Sequence, residues 1–156
     1  MGGILSAILL GALALLLLSA GIEDVRKREI ANWKNAAVAL MAPLWWWSCS
    51  YAIWPDIAIQ IALALVVFGA FVLAFALGQM GGGDVKLIGA LALWLPFQPL
   101  ARMLMVMALV GGVLTLLLLA ERWWRREKAA IEVPYGVAIV IAALVAFHEP
   151  ILNRFG

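Results

Sequence analysis

Gly81-Gly82-Gly83-Asp84-Val85-Lys86-Leu87 lies between two long apolar runs and decides how the chain is read. Three consecutive glycines make a poor helix interior, because each gives up backbone entropy and offers no side chain to pack. The run therefore marks a break between helices. The acid that ends it lies close to hydrocarbon, where an ionisable group is costly and marks a functional site by default. One other acid has a similar setting: Asp24, directly after the first apolar run. The remainder of the chain reads as a scaffold that brings Asp24 and Asp84 together.

Composition sets the class. Of 156 residues, 67% are hydrophobic, and the mean hydropathy is +1.07. Soluble domains are only about half apolar. Apolar runs near the length of a bilayer-crossing helix recur along the chain, so the expectation is an all-α polytopic membrane protein. Residues 1–156 read as a single domain. The first 22 residues lack a basic leading region and run straight into a charged loop, so they are expected to be a span and not a cleaved signal peptide.

Six spans are expected, at about residues 4–22, 35–54, 57–77, 84–95, 101–120 and 133–147. Asn32 is the expected N-cap of the second. Pro55-Asp56 reads as a tight turn, and Pro134 suits the first turn of the last span. The fourth span weakens at Pro96 and Pro99. Its residues 85–95 make only 11 residues of helix, roughly 16 Å, against a hydrocarbon core of ~30 Å. It is therefore expected to begin below the membrane surface.

Net charge is +2, and the basic residues flank apolar runs, which is a topology signal and not a nucleic-acid footprint. Arg26, Lys27, Arg28, Lys34, Lys86, Arg122, Arg125, Arg126 and Lys128 fall on one side of a six-span layout. Only Arg102 and Arg154 fall on the other, so nine of the 11 share a face. By the positive-inside rule that face is cytoplasmic, both termini lie outside, and Asp24 and Asp84 meet the cytoplasmic surface. Trp33, Trp123 and Trp124 occupy interfacial positions. Trp45-Trp46-Trp47 reads as packing or lipid contact, and Gly111-Gly112 as a close helix approach.

The chemistry rests on the two acids. Carboxylates held close share one proton, because both cannot ionise cheaply. One can then take a proton from water while the other donates to a carbonyl oxygen, which hydrolyses an amide without metal or covalent intermediate. The lone Cys49 excludes an intramolecular disulfide, the lone His148 excludes a histidine cluster, and no metal or cofactor is expected. Structural alternatives exist for both acids: Asp84 as a helix cap, and Asp24 as an ion-pair partner of Arg28. Glu23, Glu29, Glu121, Glu127 and Glu132 read as surface ion-pair members. A proton-linked transporter or assembly subunit using the same acids is the non-enzymatic alternative, although no inverted repeat is visible.

Gly81-Gly82-Gly83-Asp84 matches the GxGD motif of intramembrane aspartyl proteases. With Val85-Lys86-Leu87 after it, the stretch resembles the form found in type IV prepilin peptidases. Asp24-Val25-Arg26-Lys27-Arg28-Glu29-Ile30-Ala31-Asn32 is similar to that family's first aspartate motif, with Ala31 where proline is usual. Val133-Pro134-Tyr135-Gly136 resembles the Pro-Tyr-Gly at the start of its last helix. The resemblance implies catalytic Asp24 and Asp84, with Gly81, Gly83 and Lys86 shaping the loop or holding substrate. It implies cleavage of prepilin or pilin-like precursors in the cytoplasmic membrane, with lipid as surroundings. The cysteine-bearing zinc-binding loop of the large bifunctional members is absent. The chain therefore resembles the short peptidase-only form associated with Flp/Tad-type pili, for which N-methylation is not implied. Another GxGD protease cutting inside a membrane helix is the enzymatic alternative.

Overall fold

The computed structural model describes residues 2–125 and 135–155. Among them the chain forms six helices and no strand: α1 (Gly2–Lys27), α2 (Asn32–Ser48), α3 (Ala58–Ala76), α4 (Gly82–Ala92), α5 (Phe97–Arg125) and α6 (Tyr135–Phe155). Three segments are long and apolar enough to cross a membrane: Gly3–Lys27, Ile53–Ala76 and Phe97–Glu121. α6 adds a shorter apolar run, Tyr135–His148.

Several boundaries differ from the sequence reading, each for a local reason. α2 begins at Asn32, and Ala31 takes the capping position with φ −59° and ψ 131°. Asn32 is thus not the N-cap, and its Oδ1 accepts from Lys86 Nζ at 2.8 Å. α2 ends at Ser48, short of residue 54, and Ser50 turns the chain with φ 58°. Residues Ile53–Ile57 then make one wide turn, in which Asp56 Oδ2 accepts the Ala52 N–H at 3.0 Å. Pro99 does not delay the fifth helix. It lies in the first turn of α5, where a missing N–H costs nothing, and the break falls at 93–96, ahead of it. At its far end α5 continues to Arg125, so Glu121 is helical. Pro134 and the basic stretch 126–132 lie outside the described residues.

α4 is the central element. It packs against α2, α3 and α6; α1 packs against α2 and α6, and α5 lies outside against α6. The core follows from this arrangement. Leu87, Ile88 and Leu91 of α4 are fully buried, with Leu13 and Leu17 of α1, Val38 and Ala42 of α2, and Ile139 and Ala143 of α6 around them.

A helix of 11 residues that ends among apolar side chains leaves its last carbonyls without helical donors. In low dielectric these must be satisfied by protein. Buried Gln60 of α3 donates from Nε2 to the Ala92 and Leu95 carbonyls, at 2.6 and 2.7 Å. Trp46 Nε1 donates to the Leu93 carbonyl at 2.7 Å. In return Trp94 Nε1 donates to the Val38 carbonyl of α2 at 2.9 Å. Trp94 also stacks on Trp45, centroids 5.5 Å apart, and meets Phe147 of α6 edge-on at 6.3 Å. The tryptophan triplet is thereby divided: Trp45 packs, Trp46 caps the α4 end, and Trp47 is 76% exposed.

Gln60→Leu keeps the volume and removes both donors. It should lower stability by about 1–3 kcal/mol for each acceptor left unsatisfied. Thermal unfolding in detergent micelles should register the loss, whereas exposed Ile59→Leu should stay within about 0.5 kcal/mol of the parent. A Gln60→Leu protein as stable as the parent would show that water reaches the α4 end.

Candidate active site

The first acid is set by the end of α1. The Arg28 N–H bonds the Asp24 carbonyl at 2.9 Å, and Arg28 adopts φ 57°, which closes the helix in the left-handed region. A non-glycine residue held there stores strain, and such residues cluster at functional sites. The chain then crosses to α2 through a part-buried polar knot. Lys34 Nζ lies 2.9 Å from Glu23 Oε2 and donates to the carbonyl and hydroxyl of Ser19. Glu23 is an ion-pair member as read, but its main partner, Lys34, is buried; Lys27 approaches it at 3.7 Å. Glu23 thus pairs with both lysines, and the alternative Asp24–Arg28 ion pair does not form. Ala31 carries a backbone φ that proline would share, yet its N–H donates to Glu23 Oε2 at 3.3 Å. Proline has no such donor, so the alanine is used here.

The second acid is set by the start of α4. α3 closes at Gly78, whose φ of +72° allows the Gly78 and Gln79 N–H groups to bond back to Phe75 and Ala74. Gly81 is the N-cap of α4 in extended backbone, and Asp84 is the third residue of the helix. The Asp84 carboxylate turns back over Gly81, with its Oδ2 close to the Gly81 backbone. This is the acid half of a capping box, so Asp84 does serve the helix start, from within the first turn and not from the cap itself. The turn is tied to the α1–α2 link at two points. Buried Asn35 donates from Nδ2 to the Gly83 carbonyl at 3.1 Å. Ile30 lies against Gly83, where a Cβ would come within 3.3 Å of it.

α6 completes the site. The Val137 N–H donates to Asp24 Oδ2 at 3.3 Å, with the Gly136 N–H alongside. These amides lie at the start of the described part of α6, where the helix dipole favours an anion. The approach needs glycine: a Cβ at Gly136 would stand 2.7 Å from Asp24 Cγ and Oδ2. One residue earlier, the Tyr135 ring lies over Gly111 of α5, where an added Cβ would be 3.2 Å away. Gly111 is thus the closely packed member of the glycine pair, and Gly112 faces open space.

Asp24 and Asp84 are 4% and 8% exposed and line the same polar recess. It consists of two adjoining lobes of about 550 and 450 Å³. The larger reaches Lys27, Gly78, Met80 and Tyr135; the smaller reaches Ile30, Asn32, Gly82 and Gly83. Arg28, Glu29 and Gly81 border both. Each acid thus lies at a helix N-terminus, Asp84 in its own α4 and Asp24 against α6. Of the other residues singled out from sequence, Gly81 and Gly83 line the recess. Lys86 points the other way, to Asn32 and the outer side of α4. Sequence reasoning missed the α6 amides. The Pro-Tyr-Gly motif held the signal, in a glycine at the start of a helix beyond the position where a cap is expected. Among the described residues no three His, Cys, Asp or Glu side chains gather where a metal ion could be held.

Comparison with known proteins places this geometry in a family. A sequence model of the type IV leader peptidase family matches residues 11–117, which include both aspartates and the glycine run. No curated protein and no solved structure matches the chain. A match over more than half of the sequence, centred on helices that carry both acids, shows that this chain belongs to the type IV leader peptidase family.

Proposed function

We propose that the protein is an aspartic endopeptidase of the cytoplasmic membrane that removes the leader peptide from type IV prepilin or pilin-like precursors. Asp24 and Asp84 are its catalytic pair. The observation that carries this reading is the shared recess: two buried carboxylates, 60 residues apart in sequence, border one polar cavity beside the glycine backbone at the start of α4. Sharing one proton, the ionised member takes a proton from water while the protonated member donates to the scissile carbonyl oxygen. The water oxygen bonds to the carbonyl carbon, and the amide nitrogen leaves with a proton returned by the pair. A coupled pair titrates jointly, so the roles of base and acid belong to the dyad. Gly81 and Gly83 keep the recess floor free of side chains, and Gly136 lets the α6 amides orient Asp24.

In this reading all six helices traverse the bilayer wholly or in part, both termini lie outside, and the recess opens to the cytoplasm. The nine-to-two distribution of basic residues supports that orientation. Reporter fusions after Asn32 and Arg126 should report cytoplasm, and a fusion at Pro55 should report the outside. A cytoplasmic Pro55 would remove the six-span layout.

Asp24→Asn and Asp84→Asn keep shape and remove ionisation. Each should eliminate precursor cleavage, followed by the mass of a co-expressed precursor, and the double variant should be no worse than either single one. Asp56→Asn, in the turn between α2 and α3, should cleave normally. Robust cleavage by a well-inserted Asp24→Asn or Asp84→Asn protein would sink the aspartyl mechanism.

Gly136→Ala tests the α6 contact. The added methyl group displaces the Asp24 carboxylate from the Val137 amide, so cleavage should fall by about 100-fold or more, as when catalytic geometry shifts by about 1 Å. Insertion and thermal stability should change little, since Asp24 can swing into the recess. Unchanged cleavage would show that the α6 amides play no part in positioning Asp24.

A further inference from the structure

A second, apolar groove of about 420 Å³ runs along the outer side of α4, between α2 and α3. Its α2 and α4 walls carry small residues, Ala36 and Ala39 and then Gly89 and Ala90, whereas the α3 wall is Ile61, Ala64, Leu65 and Phe68, with the Phe68 ring packed over Gly89. α2 and α3 both pack on α4, which leaves a cleft between them. α3 is otherwise lightly held, with only Gln60 and Ala64 buried. Pro43, inside α2, has no N–H to offer the Ala39 carbonyl, so a groove-wall acceptor lacks its helical donor. At one end the groove reaches Leu93, the C-cap of α4. At the other it meets Lys86, Asn35 and Asn32, and Asn32 also lines the smaller lobe of the acid recess.

We infer that this groove is the docking site for the apolar helix of the precursor, holding it against α4 while the segment to be cut passes over Asn32 into the acid recess. The inference rests on the leader-peptidase reading. Its ground is continuity. The two concavities share Asn32, one is apolar and the other polar, and an occupant that uses both must be a chain with an apolar helix joined to a polar segment. A lipid tail would fill the groove alone, and a second copy of this protein would have no reason to enter the acid recess. Ala36 and Ala39 of α2 and Ala90 of α4 suit the close approach of another helix, because packing and not hydrophobicity drives helix association in lipid. Lys86, held by Asn32, marks where the occupant leaves the apolar groove for the polar recess.

Two measurements in native membrane vesicles test this. The first compares cleavage of a full-length precursor with cleavage of a short peptide that spans the cut site and lacks the apolar helix. Ala36→Trp and Ala39→Trp fill the groove. The full-length rate relative to the peptide rate should fall by about tenfold or more. An unchanged ratio, with either both rates intact or both lost, overturns the docking site. The second uses Cys49→Ser, Asp84→Asn, Ala39→Cys protein and a precursor with one cysteine in its apolar helix. Oxidation should yield the mixed disulfide, and Val145→Cys, on the exposed side of α6, should not. No disulfide at Ala39→Cys, or equal yield at Val145→Cys, also overturns it. Should the parent protein cleave neither substrate, the leader-peptidase reading fails by itself, and the disulfide yield still decides whether a precursor helix occupies the groove.

Discussion

Everything in this fold depends on satisfying the ends of one short buried helix. α4 has 11 residues, about half the length needed to cross a bilayer. Both of its ends therefore present backbone groups where water is scarce. An unpaired buried carbonyl costs more than a typical hydrogen bond contributes, so those ends dictate what must surround them. At the C-terminus the answer is Gln60 and Trp46, drawn from α3 and α2. At the N-terminus it is the Asp84 carboxylate turned back on Gly81, while Asn35 of α2 adds a tie to the first turn through the Gly83 carbonyl. The same bonds that satisfy α4 hold α2 and α3 to it, and with them the recess.

The two acids share a physical logic that neither motif states alone. Each carboxylate lies at a helix start, Asp84 in α4 and Asp24 at α6. Helix N-termini offer fixed donors and a favourable dipole, so they hold a carboxylate in one orientation without a cationic side chain. Lys27 and Arg28 border the recess, while two other basic residues nearby serve other ends. Lys34 is used inside the α1–α2 link, and Lys86 is turned to Asn32. The same logic gives Gly136 a definite task, because only a residue without Cβ permits Asp24 to reach the α6 amides.

Several sequence readings missed for one reason: they assigned polar residues to local partners where the fold uses distant ones. Asn32 looked like a cap and is an acceptor for Lys86, 54 residues away. For Asp24 the local alternative, a pair with Arg28 one turn on, gives way to a bond from α6. Gln60 carried no signal at all, a single amide in an apolar run, yet it closes the last carbonyl of α4 and the Leu95 carbonyl of the break that follows. The departure at Ala31 has the opposite character. Its φ fits the proline expected there, and its N–H has a use that proline lacks.

The sequence by itself determined the helical class, the apolar runs, the glycine break before Asp84 and the two acids beside hydrocarbon. These are local properties: composition, run length and the cost of glycine or charge in an apolar setting are read within one or two turns. Tertiary structure alone decided that Asp24 and Asp84 line one recess, that α6 amides hold Asp24, that Lys86 faces outward, and that a groove opens between α2 and α3. Those follow from contacts such as Val137 to Asp24, 113 residues apart, and Asn35 to Gly83, 48 apart. No periodicity encodes such a pairing. It is fixed only when burial leaves each backbone donor and acceptor a single partner within reach.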